Sequence, residues 1–104
     1  MVALLSGDRA RAERRLSADV LMEVAGAFRA TGRAEAMAGL VAADALEIDT
    51  VVTHGRAGAV SGRVVRGGRT TPFAMVFRFA SAKAEAVQHI AVYSPEPHSL
   101  VAGQ

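Results

Sequence analysis

The chain has no cysteine, which removes disulfides, thiolate metal ligands and cysteine nucleophiles from consideration. It also has no tryptophan, and aromatics make up only 5% of its 104 residues. Each of Phe28, Phe73, Phe77, Phe79 and Tyr93 is therefore expected to hold a defined packing position. No apolar run approaches the roughly 18 to 20 residues that a helix needs to cross a membrane, and no charged leader followed by an apolar stretch marks a secretory signal. The expectation is a cytoplasmic protein with no membrane partner. Lysine is nearly missing as well, since Lys83 stands alone beside eleven arginines. With a net charge of only +2, the basic isoelectric point reflects arginine's high pKa more than a strongly cationic surface. The densest run, Arg9, Arg11, Arg14 and Arg15, is broken by Glu13 and alanines and carries no aromatic. That pattern fits a solvated helix face, not a base-stacking platform, so no nucleic-acid partner is expected.

What is present is 51% hydrophobic, a figure inflated by 22 alanines. A chain of this length is expected to form one domain over 1–104, with a single core and room for one modest cavity. Val2 to Leu5 resembles the last turn of a first helix stopped at Ser6-Gly7. Asp8 can cap a second short helix running to about Leu16. Ser17-Ala18-Asp19 then leads into Val20 to Val24, β-branched at both ends and read as an outlying strand, with a continuation of the helix as the alternative because Leu21, Met22 and Ala25 also suit a helical face. Gly32 breaks the next segment. Arg33 to Ala43 carries Ala36, Met37, Leu40 and Val41 as an apolar stripe, the spacing of a helix laid on a sheet. From Ala45 to Ser94 four β-type runs follow, separated at His54-Gly55-Arg56, Gly67-Gly68 and Ser81-Ala82-Lys83-Ala84. Helical cover early and an antiparallel meander late is the order of an α+β roll rather than a βαβ repeat. The last residues, 95–104, read as a tail.

Period-two alternation assigns faces within the meander. In the run 73–79, Phe73, Met75, Phe77 and Phe79 point one way, expected to be under the helices, and Ala74, Val76 and Arg78 the other. Leu46, Ile48, Thr50, Val52 and His54 are expected to share a face, with Glu47, Asp49, Val51 and Thr53 opposite. Ile90 and Val92 are assigned to the face of Ala74 and Val76, which is then small and apolar. A single layer of helices covers only one side of a sheet, so a homodimer packed through this outer face is expected.

The stretches 47–56, 59–62, 73–79 and Ile90-Ala91-Val92-Tyr93, with Gly7-Asp8, Ser17-Ala18-Asp19-Val20 and Gly32-Arg33 at the matching breaks, resemble the SnoaL-like, nuclear transport factor 2-like superfamily. The resemblance covers almost the whole chain. It implies a cone-shaped roll, a curved antiparallel sheet wrapped around N-terminal helices with a cavity between them, often dimerised through the sheet. Members include ketosteroid isomerase-like enzymes, cyclases, dehydratases, epoxide hydrolases and binding or structural domains, so the fold alone does not decide function. Isomerase-like members carry a carboxylate base where this chain has Val24, next to Glu23, and a protonated acid where it has Met75. Both groups are missing here, which argues against proton abstraction of that type.

The expected pocket is apolar: Met22, Val24, Phe28, Phe73, Met75 and Phe77, with His89 and Tyr93 on a shared strand face with Ala91. These two are the candidate acid or base groups. Four residues apart, they stand roughly 13 Å from each other along a strand and would meet opposite ends of a small ligand. His89 lacks an orienting carboxylate in the sequence pattern and reads first as a structural histidine, buried or at an interface, and only second as an acid or base. His54, His89 and His98 lack ligand-pair spacing, so no metal and no other cofactor is expected. Gly67-Gly68 lies between strands, not before a helix, and reads as a hairpin turn with Arg66 and Arg69 solvated beside it. Ser61-Gly62 lacks the context of a nucleophile elbow. Met22, Met37 and Met75 read as core filling before pocket lining. The leading expectation is a small apolar ligand bound in the cavity. Alternatives are a cyclase-, isomerase- or dehydratase-type enzyme using His89 or Tyr93, and a non-catalytic dimeric scaffold.

Overall fold

The computed structural model describes residues 9–41, 43–81 and 86–102. In chain order these form α1 (Arg9–Arg15), β1 (Leu16–Val24), β2 (Phe28–Thr31), α2 (Arg33–Gly39), β3 (Ala45–His54), β4 (Ala57–Arg66), β5 (Arg69–Phe79), β6 (Val87–Tyr93) and a 3-10 helix, Pro97–Leu100. The helix read at Val2 to Leu5 lies outside the described residues. The strands make one six-stranded sheet in the order β2-β1-β6-β5-β4-β3. All neighbours are antiparallel except β1 and β6, which run parallel. The fold is thus α+β, with the meander β3 to β6 where the alternation placed it.

Turn chemistry explains the hairpins. Gly67 and Gly68 both have positive φ, 58° and 79°, and Arg66 pairs with Arg69 across them. A two-residue loop with left-handed backbone at both positions matches the right-handed twist of the flanking strands. Asp44 steadies the turn, its Oδ2 accepting the Gly67 N–H at 2.8 Å. Pro72 sits within β5, yet β6 pairs with β5 only from Ala74 onward. Its missing N–H costs no ladder bond there, and the Ser94 hydroxyl donates to the Pro72 carbonyl at 2.7 Å.

Two registers correct the face assignments. In β6, Ile90 pairs with Phe77 and Val92 with Met75, whereas His89, Ala91 and Tyr93 oppose Arg78, Val76 and Ala74. Directly opposed residues point to the same face, so Ile90 and Val92 belong to the helix-covered side and His89 and Tyr93 to the other. In β3 the register shifts between Ile48 and Thr50. Leu46 and Ile48 oppose Val64 and Gly62 on the covered face, but Thr50, Val52 and His54 oppose Ser61, Ala59 and Ala57 on the open one. The extra residue of a β-bulge reverses the alternation beyond it. Gly62 is required at this point, since a Cβ there would strike the Glu47 carbonyl. Arg63 clamps the bulge, donating to Asp49 at 2.8 and 3.1 Å and to Glu47 at 3.2 Å. These bonds, to Asp49 first, raise the pKa of the Arg63 guanidinium above its ordinary value.

The core lies between the covered face and the helices. Met22, Val24, Val60, Val64, Phe73, Met75, Phe77, Ile90 and Val92 form one cluster with Ala36, Met37 and Leu40. The stripe read at Ala36, Met37, Leu40 and Val41 is wholly buried, but α2 ends at Gly39 rather than Ala43. Leu40 turns extended and bridges to Val101. The segment read as a mobile tail is what stops it. Val41 donates to the Leu100 carbonyl at 3.0 Å and Ala102 to that of Gly39 at 2.8 Å, and Leu100 is fully buried. Burying one leucine side chain is worth about 1.5–3 kcal/mol, enough to hold a short segment in place.

Candidate functional site

The eight residues expected to line a pocket divide between the two faces of the sheet. Met22, Val24, Phe73, Met75 and Phe77 share the covered face and are buried in the core cluster, with the half-buried Phe28 packed against them. His89 and Tyr93 are not brought to them. Both lie on the open face, Tyr93 exposed at 51% and His89 partly buried. Glu23 pairs with Ala91 and so also faces outward, while its neighbour Val24 pairs with Val92 and faces in. The covered face therefore carries no titratable side chain at any of the sequence-selected positions. His54 ends β3 on the open side, and His98 lies in the 3-10 helix. Among the described residues no group of three or more histidine, aspartate or glutamate side chains is placed to hold a metal ion.

Clefts lined by described residues border this architecture. One of about 440 Å³ is lined by Glu13 of α1 and by Arg33, Ala34 and Met37 of α2. Arg33 is held there by its Nε, which donates to the Leu16 carbonyl at 3.2 Å. Met37 belongs to the core cluster, so this cleft lies on the helices and touches the edge of the core. A second, of about 390 Å³, lies at the sheet end between Pro72, Phe73, Ala74, Tyr93, Ser94 and Pro95. A third, of about 160 Å³, is lined by Val64, Arg66, Arg69, Thr71 and Ser99. Neither the helix cleft nor this smallest cleft was selected from the sequence. The signal for the smallest one is the symmetric Arg-Gly-Gly-Arg, which places two arginines directly opposite each other once the loop has two residues.

A six-stranded mixed sheet with its meander at the C-terminal side and helices on one face is the α+β arrangement of nuclear transport factor 2-like (NTF2-like) proteins. Solved structures share it. An NTF-2 like protein of unknown function from Burkholderia xenovorans superposes with a TM-score of 0.76 at 16% identity, covering 89% of this chain and 74% of that one. A ketosteroid isomerase-like protein from Kribbella flavida gives 0.74 at 20% identity, covering 91% and 71%. An LEH-like epoxide hydrolase from M. tuberculosis gives 0.66 at 16%, covering 89% and 74%. The chain has the NTF2-like fold, as its sequence resemblance implied. No protein-family model and no curated protein sequence matches it.

Proposed function

We propose that the protein binds a small, largely apolar molecule between its helices and the covered face of the sheet, without acid-base catalysis. The observation that carries this reading is the make-up of that face, which is apolar at Met22, Val24, Phe73, Met75 and Phe77, with a cleft on the helices that opens beside the core residue Met37. A volume of about 440 Å³ falls within the range of roughly 300–1,000 Å³ usual for small-molecule sites. Two neighbours are named for a ketosteroid and an epoxide, which fits a small organic ligand. Catalysis has less support. Where the isomerase resemblance expects a base and an acid this chain has Val24 and Met75, and His89 and Tyr93 face away. In this reading the sheet curls around the helices as a cone, the bulge at Asp49 supplying a bend. The open face, with Val52, Ala59, Val76 and Tyr93, joins two copies in the cytoplasm, because an apolar sheet face of this kind is usually an interface.

Native mass spectrometry of protein purified without added ligand tests the binding. A bound mass retained by the wild type and lost from Ala34→Trp, which fills the cleft from an exposed position, is the expected result. Bare protein in both samples, with no saturable uptake of an apolar fluorescent probe, would overturn it in favour of a filled scaffold. Light scattering across a dilution series tests the pairing of copies: a single monomeric mass at all concentrations removes it.

A further inference from the structure

We infer that the small cleft beside the Gly67-Gly68 turn is a binding site for an oxyanion, a singly charged carboxylate in first place. This stands apart from the apolar site proposed above. Arg66 and Arg69 pair directly across β4 and β5 and both line the cleft. Like charges facing each other on adjacent strands are destabilising unless something neutralises them. Glu96 does so for Arg69 alone, through an ion pair of 3.1 Å. The other carboxylate at the turn, Asp44, accepts the Gly67 amide. Arg66 has no ion-pair or hydrogen-bond partner among the described residues.

A second, independent observation is Thr71. It is the one buried polar residue among those described, only 4% exposed, and its hydroxyl has no hydrogen-bond partner among them. No fully enclosed polar side-chain atom lacks a partner in the described residues, so the Thr71 oxygen keeps an opening, and the opening is this cleft. Through that opening the hydroxyl can bond to water or to a ligand oxygen that replaces it. Ser99 adds a second hydroxyl from the 3-10 helix, and Val64 gives the floor. At about 160 Å³ the space suits an oxyanion head and not a whole organic ligand, which needs roughly 300 Å³ or more. Arg69 is engaged by Glu96 and no carboxylate lies within ion-pair distance of Arg66 among the described residues, so one unpaired guanidinium borders the cleft, which matches a monoanion. Guanidinium forks and hydroxyls are the donors that recognise carboxylate oxygens.

The test is a titration of the folded protein with sodium acetate at ionic strength held constant by sodium chloride, following the backbone amides of Val64, Thr71 and Ser99 by NMR. Saturable shifts confined to this region are expected. Arg66→Gln, at an exposed position, should weaken acetate by about tenfold, the value of one charge-assisted hydrogen bond. Glu96→Gln should tighten it several-fold by removing the competing carboxylate, an opposite sign that a purely structural role would not produce. Thr71→Val should weaken binding while leaving the melting temperature unchanged or higher. Shifts that grow linearly with salt and survive in Arg66→Gln would overturn the site. Tighter saturation by inorganic phosphate than by acetate at the same amides would overturn the preference for a monoanion.

Discussion

The two faces of β5 are made by one strand and meet opposite fates. Met75 is 1% exposed, and Phe73 and Phe77 are nearly as deeply buried, while Val76 between them is 47% exposed. The covered side is closed by α2 and by the 3-10 segment carrying Leu100. Among the described residues nothing of this chain closes the other. Apolar character alone therefore does not mark the core of this fold: both sides are apolar, and register decides which is buried.

That contrast can be attacked from either side. Phe77→Ala should be the most damaging change, costing about 3–5 kcal/mol, because the ring fills the core and makes an edge contact with Phe79 at 5.4 Å between centroids. Chemical denaturation reads the loss, and a cost under about 1 kcal/mol would mean the covered face is loosely filled. Gly62→Ala comes next, at about 1–3 kcal/mol, since the new methyl group strikes the Glu47 carbonyl at the bulge. If that variant is as stable as the wild type, the bulge is not pinned by close approach. Val76→Ser should change the stability of the single chain by no more than about 0.5 kcal/mol. A larger loss that grows with protein concentration would sharpen the contrast instead, because it would show that a second copy buries the open face.

Much of the fold could be read because its signals are local. The alternation Phe73, Met75, Phe77 against Ala74, Val76, Arg78 has a single interpretation, and paired glycines at 67 and 68 fix a two-residue turn. The parity of β6 could not be read in the same way. Ile90, Ala91 and Val92 are all buried, so hydropathy there has no alternation, and only the pairing of Ile90 with Phe77 sets the face. A register shift between Arg78 and Phe79 removes any simple count from the hairpin. The bulge in β3 was hidden for a related reason, since its one trace in the sequence is a glycine on the neighbouring strand. The slip in β6 carried His89 and Tyr93 to the wrong side and with them the candidate chemistry, and the slip in β3 misplaced Thr50, Val52 and His54. The apolar members of the site were legible because they are core positions. The arginine cleft was not, because opposition across strands is a property of register.

The parallel pairing of β1 with β6 has a consequence for timing. Met22 finds Ile90 as its neighbour, and Val24 finds Val92. The meander β3 to β5 can zip up hairpin by hairpin as it leaves the ribosome, but β1 has only the short β2 beside it until β6 has been made. A lone two-stranded hairpin is marginal in water, and closing so long a loop slows folding. The first strand of the sheet in chain order is thus among the last to be secured. During that interval the stretch Val20 to Val24 stays open to the wrong partners.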